Sequence, residues 1–306
     1  MLSRLAESLY WTGRYVERAE DTARILDVYL SLLLDDPWAP EGVVCASLLA
    51  AMGHDIEGPV DTSDVMHKLA WDTSRPSSVV GAIAAARENS RTSREIVSTE
   101  MWESINVTWH ESASPGRRAN THAFLSWVRE RAAAFSGVAD GTLSRDEAYQ
   151  FLVLGRAIER TDMTARLVAA RALAGDVGPS WITLLQSCGA YSAFLRQAQG
   201  AIGDREAIEF LLLDPLFPRT LMSGLTRAVA SLDELENRGG VSGTRGDEAY
   251  RALGAIRSEL EFSPIADLIE DIYPLMERVQ AACSAADEAI GRRYFPRGLV
   301  TAWMAS

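Results

Sequence analysis

The chain has 306 residues, 47% of them hydrophobic, enough for a sizeable core in one large domain or two ordinary ones. A net charge of −12 makes a broad basic face unexpected, which argues against nucleic acid or an anionic membrane surface as a partner and reads as ordinary solubility. No apolar run approaches the roughly 18–20 residues of a membrane span.

Nearly every segment follows a helical period. Leu2, Leu5, Leu9, Gly13, Val16, Glu20, Ala23 and Leu30 form one stripe and predict a helix over residues 2–34, stopped by DDPWAP. Arg4 and Glu7 interrupt what would have to be an apolar signal segment, so a cytoplasmic chain is expected. A shorter helix follows over 42–52, then a capped connector, HDIEGPVDTSD. Pro76, Ser77 and Ser78 open a helix that continues to about 97 or beyond, and ESASPGRRAN is a loop. Helices are predicted over 121–136 and 144–174, the second opened by a capping box between Ser144 and Glu147. Further helices fall over 180–199, 204–212, 219–237, 246–261 and 265–291. ENRGGVSGTRGDE is the interior loop, and the tail RRYFPRGLVTAWMAS has no clear period. No hairpin signal occurs, so the fold class is all-α, a bundle of about ten helices.

The chain repeats itself. GRYVERAEDTAR at 13–24 and GRAIERTDMTAR at 155–166 share one pattern at an offset of 142 residues. At the same offset Asp72, Pro76 and Ser78 fall on Asp214, Pro218 and Thr220, and ASLLAAMG at 46–53 resembles ITLLQSCG at 182–189. These collinear matches predict a duplication with halves of about 1–140 and 141–306 within one pseudo-symmetric domain spanning 1–306, since long amphipathic helices bury their stripes against one another. Gly13 and Gly155 each cost their helix about 1 kcal/mol relative to alanine, a cost that close helix–helix approach explains.

Turning by about 100° per residue places Glu20 on the apolar stripe, with Glu17 and Arg24 flanking it and Arg14 and Arg18 further out. The second copy repeats this with Asp162, Glu159, Arg166, Arg156 and Arg160. Glu20–Arg24 and Asp162–Arg166 are ion pairs in the favourable i, i+4 orientation. A carboxylate on a buried stripe needs a partner, and guanidinium groups supply it. Three readings follow. The cluster is a structural network pairing the halves, a site where the arginines hold a carboxylate or phosphate, or a carboxylate-bridged metal site. The last lacks the histidine that helical di-metal sites add, and the arginines oppose a cation, so no metal is expected.

Other candidates are secondary. His54, His67, His110 and His122 lack metal-binding spacing, and no nucleophile-elbow, P-loop or dinucleotide motif occurs, so no cofactor is expected. Cys45, Cys188 and Cys283 read as buried hydrophobes. Arg87, Asn89 and Arg94 are candidates for lining a polar groove, and Arg219, after Pro218 at a helix start, for a backbone anion site or a simple cap. A homo-oligomeric scaffold would show as an exposed apolar helix face.

The doubled G-R-x-x-E-R motif, ARENSR…REIVSTEMWESIN and FLLLDPLFPRT together resemble the bacterial alpha-E family over essentially the whole chain, Leu2 to about Tyr294. The motif residues are Arg14, Glu17, Arg18, Arg156, Glu159 and Arg160; Ser90 stands where the resemblance leads one to expect alanine. The resemblance implies a cytoplasmic, all-α protein without established catalysis. It also implies a partner, a circularly permuted ATP-grasp protein resembling peptide or amide ligases, with transglutaminase-like proteins and sometimes a proteasome-like peptidase nearby. The expected function is a helical accessory subunit that binds such a ligase or its peptide-like substrate. The alternative is an enzyme or binding protein that holds an anionic small molecule in the duplicated Arg/Glu cluster.

Overall fold

The apolar stripe that begins the chain becomes α1, Ser3–Asp35, and the second motif copy lies on α8, Glu147–Ala174. In the computed structural model, which describes residues 1–35, 40–175, 179–198, 203–238 and 248–296, these two helices are the centre of the molecule. Helix α8 is buried on nearly every face from Ala148 to Ala169. Such all-round burial requires neighbours on all sides. It receives them from α1, from α12 (Leu221–Arg238) and from α15 (Ile272–Tyr294). Helix α1 packs in turn on α8, on α4 (Val79–Thr92) and on α7 (Thr121–Thr142). One continuous hydrophobic core runs through these elements, from Leu9 and Leu26 on α1 to Leu154 and Leu167 on α8 and Leu275 on α15.

The described residues are all-helical, with fifteen α-helical segments and a π-helical turn at His67–Trp71 where the sequence pattern predicts about ten helices. The excess comes from short pieces and from breaks inside predicted helices. The connector after α2 (Glu41–Ala51) contains α3, Thr62–Met66, started by a capping box between Asp61 and Asp64. The loop ESASPGRRAN contains the single turn α6, Pro115–Arg118. The helix expected to run to about residue 97 or beyond ends at Thr92, and α5, Thr99–Ser112, starts afresh with the Ser98 hydroxyl accepting from the Met101 amide. The segment predicted as 180–199 is two helices, α9 (Trp181–Ser187) and α10 (Tyr191–Gln197), parted at Gly189, whose φ of +65° is open to glycine at little cost. Residues 265–291 likewise divide into α14 (Ile265–Glu270) and α15, because Pro274 lacks the amide and crowds the carbonyl one turn earlier. The remaining helices are α11 (Asp204–Leu213) and α13 (Glu248–Phe262).

The capping box predicted between Ser144 and Glu147 does not form. The Asp146 carboxylate accepts from the Ala148 and Tyr149 amides and caps α8, while Glu147 is drawn to the N-terminal ammonium of Met1 at 2.8 Å. Most of the interior loop ENRGGVSGTRGDE and the end of the tail lie outside the described residues, as does much of the DDPWAP stop.

Candidate functional site

Two glycines bring the motif helices together. A methyl group at Gly13 would stand 2.2 Å from the Leu152 carbonyl oxygen, and one at Gly155 would stand 2.1 Å from that of Tyr10. The backbones therefore touch where a side chain would otherwise hold them apart. The contacts are reciprocal, since Tyr10 and Leu152, like Gly13 and Gly155, are 142 residues apart.

This approach decides where the motif side chains go. Face arithmetic points Arg14 and Arg18 outward, but α8 covers that face, and their long side chains reach across to Glu159. Arg14 Nε donates to Glu159 Oε2 at 2.7 Å, while Arg18 donates through Nε to Oε1 and through Nη2 to Oε2 at 2.8 Å. The mirror set surrounds Glu17. Arg160 donates to both its oxygens, at 2.6 and 2.8 Å, and Arg156 Nε lies 3.5 Å from Oε2. Glu17 and Glu159 are 0% and 1% exposed, more buried than Glu20, which the helical stripe ranks first. The pairs within each helix also form, Arg24–Glu20 and Arg166–Asp162, both at 2.7 Å. All four motif carboxylates are thus committed to arginines, an arrangement that opposes a metal ion.

A further reciprocity links the short helices. Gly53 follows α2 with φ +76° and Gly189 follows α9 with φ +65°. The guanidinium of Arg166 lies against Gly53 and that of Arg24 against Gly189. Each glycine turn thus meets the arginine of the motif copy farther from it in the chain.

Arg219 belongs to the main cluster, which the helical period does not reveal. Its carbonyl accepts from the Thr164 hydroxyl on α8, and its guanidinium crosses to α1, where it donates to Asp21 Oδ1 at 3.0 Å, to Glu20, and to Glu17 at 3.3 Å. It acts as a third cation, not as a cap or a backbone anion site. Asp21, on the same helix, escaped the sequence reading because its counterpart is the neutral Met163. Asp287 on α15 joins as well, accepting from Arg14 Nη1 and the Tyr10 hydroxyl, both at 2.6 Å.

The secondary candidates sit apart. Arg87 donates to Asn106 and stacks over Trp109 at 4.2 Å, and Arg94 stacks over Trp102 at 5.0 Å. Asn89 bonds the Ala85 carbonyl of its own helix. Cys45, Cys188 and Cys283 are free and buried.

A family model described as a predicted alpha-helical domain with a conserved ER motif matches residues 1–295. The chain belongs to the Alpha-E family. In this Alpha-E chain the E-R dipeptides Glu17-Arg18 and Glu159-Arg160 clasp each other, each arginine binding the other's glutamate. Relatives include uncharacterized proteins of Mycobacterium bovis and of two Mycobacterium tuberculosis strains, each 26% identical over 270 residues. The match covers 78% of this chain but only 30% of each relative, so the chain spans less than a third of their length. No solved structure matches the chain. No helix among the described residues is long and apolar enough to cross a membrane.

The electrostatics of the Alpha-E clasp give opposite pH signs at different carboxyls. Burial alone would raise Glu17 and Glu159, but the arginines around each hold it at about 2, against 4.5 for an ordinary glutamate. Their folded values are depressed, so the stability they lend is present above pH 4.5 and is lost as pH falls toward 2, on the order of 3 kcal/mol for each. Asp21 goes the other way. Burial and the neighbouring Glu17 push it up to about 7 against the pull of Arg219. Between 3.8 and 7 the folded chain then holds more protons at Asp21 than the unfolded chain, so its contribution declines as pH rises. Thermal melts across pH 3–8 are therefore expected to show a Tm maximum near pH 4–5, and Asp21→Asn to flatten the decline above it. An unchanged slope in the variant would remove Asp21 as its source.

Proposed function

We propose that this chain is a helical accessory subunit of a cytoplasmic ATP-grasp-type peptide or amide ligase system, binding the ligase or its peptide-like substrate. The motif cluster, on this reading, is the lock between two pseudo-symmetric halves and not a reaction centre. The observation that carries it is the saturation of Glu17 and Glu159, which are buried and bonded by arginines from the opposite helix. For either glutamate to act as a base or nucleophile it would have to leave its arginines, so that buried charges would stand unpaired. The reciprocal contacts at one constant offset, including the paired glycines, support the duplicated halves.

An accessory role is also supported by the lengths of the mycobacterial relatives, in which the matched region is joined to a larger remainder of polypeptide. The ATP-grasp ligase-like partner, and a transglutaminase-like protein beside it, come from the family resemblance. Co-expression with an ATP-grasp ligase-like protein from the same organism tests the role. A complex that survives gel filtration, with ATP turnover changed severalfold by this chain, is the expected result. No complex and unchanged turnover would overturn it.

A further inference from the structure

The two halves of the clasp are not equivalent, and the difference leaves a cavity. Around Glu17 the space between α1 and the start of α12 is filled by the Arg219 side chain. The position 142 residues earlier is Ser77, whose hydroxymethyl group cannot span that distance, and the residue matching Asp21 is Met163. The Arg219–Asp21 ion pair thus has no counterpart in this half. In its place, beside Ser77, lies a cavity of about 620 Å³, within the usual range for small-molecule sites. The Thr22 hydroxyl, counterpart of the Thr164 hydroxyl that binds the Arg219 carbonyl, is buried without a hydrogen-bond partner.

The cavity wall carries both charge signs. Arg14 and Arg18 present their outer edges, with the guanidinium groups set over Trp11 and Tyr15 at 5.4 and 5.5 Å and fixed from behind by Glu159. Arg75 stands at the rim with its side chain 67% exposed and, among the described residues, no carboxylate nearer than that of Asp72 at 3.9 Å. On the acidic side, Asp162 uses Oδ2 for Arg166, and Asp287 uses Oδ1 for Arg14 and Tyr10. Among the described residues, the second oxygen of each remains for an incoming donor. An anion alone would crowd these carboxylates, and a cation alone would crowd the arginines. Only a ligand of both signs keeps every group paired.

We propose that this cavity binds a small zwitterion, an ammonium and a carboxylate on one short skeleton, supplied either by a free α-amino acid or by a short unblocked peptide. The ammonium faces Asp162 and Asp287, and the carboxylate faces Arg18 and Arg75. The site does not depend on the ligase partner proposed above, and its test uses this chain alone.

Calorimetric titration with L-alanine, L-alanyl-L-alanine, N-acetyl-L-alanyl-L-alanine and L-alanyl-L-alaninamide tests it. At least one unblocked compound is expected to bind, and each blocked form at least tenfold more weakly than the free dipeptide if the dipeptide is the binder. If only L-alanine binds, the source is the free amino acid, and its N-acetyl and amide forms replace the blocked dipeptides. Ser77→Arg, which fills the cavity as Arg219 fills its counterpart, is expected to remove binding. Arg75→Ala, at the exposed rim, is expected to weaken binding at least tenfold with Tm unchanged, and it decides the matter if Ser77→Arg fails to fold. Three results would overturn the proposal: no binding by either unblocked compound, equal binding by a blocked form, or binding indifferent to both substitutions.

Discussion

Gly155→Ala is expected to destabilise the chain by at least about 3 kcal/mol, the upper end of ordinary overpacking, and Gly13→Ala by a similar amount. For an ordinary helical glycine the sign would be reversed, because alanine favours the helix by about 1 kcal/mol. Here the added methyl would meet a carbonyl oxygen and the following backbone atoms, at 2.1 Å for Gly155 and 2.2 Å for Gly13. Backbone cannot rotate aside as a side chain can, so α1 and α8 must separate, and the Glu17 and Glu159 ion pairs stretch with them. For a chain of this size the loss corresponds to a fall in Tm of roughly 6–12 °C. The two substitutions are relieved by the same separation, so the double variant is expected to cost clearly less than the sum of the singles. Chemical denaturation of the three variants measures both quantities. A stabilising Gly155→Ala would mean that the helices do not meet at this point.

The parts of this architecture legible in the sequence are those with a period or a copy. The stripe from Leu5 through Ala23 defines α1 because the apolar residues recur at the helical spacing, and α8 carries the same spacing around its second motif. The cost of Gly13 and Gly155 points to close approach without saying which helix approaches. What was not legible has physical reasons. Arginine directions fail because face arithmetic follows Cβ, whereas the guanidinium lies several bonds further and turns toward the nearest buried carboxylate. The break between α4 and α5 rests on the Ser98 cap, a hydroxyl choice that a periodic count passes over. Arg219 meets Asp21 across 198 residues of chain, a contact with no local signature. A signal for it did exist: in the 142-residue alignment Arg219 faces Ser77 and Asp21 faces Met163, a basic and an acidic residue that are unmatched together. Such a paired mismatch fits two residues that touch, as Arg219 and Asp21 do, and it marks the open half of the clasp as well.

Glu159→Ala, or Glu17→Ala, is expected to cost about 3–5 kcal/mol, the range for removing one partner of a buried ion pair. The loss comes less from the missing attraction than from what stays behind. Arg14 and Arg18 are 10% and 22% exposed, and without Glu159 the sole carboxylate paired to either, among the described residues, is Asp287. Without Glu17, Arg156 and Arg160 face the same deficit. The glutamine variants keep the volume and half of the hydrogen bonding, so they are expected to fall between alanine and wild type. Replacing the whole set by Glu159→Leu, Arg14→Met and Arg18→Met should recover most of the loss, because neither arginine is then left buried without its carboxylate, and Asp287, which loses Arg14, is part-exposed. That recovery would separate two roles of the clasp. If the apolar triple variant is stable and still a single, cooperatively melting species, the ion pairs are dispensable for pairing α1 with α8. If it is stable but melts broadly or populates several forms, the ion pairs select the register that the glycines permit. Two backbones in contact over a smooth groove can slide by a turn. Two guanidinium groups fixed to one carboxylate on the opposite helix cannot, and the second clasp, related by the same offset, enforces the same register from the other side.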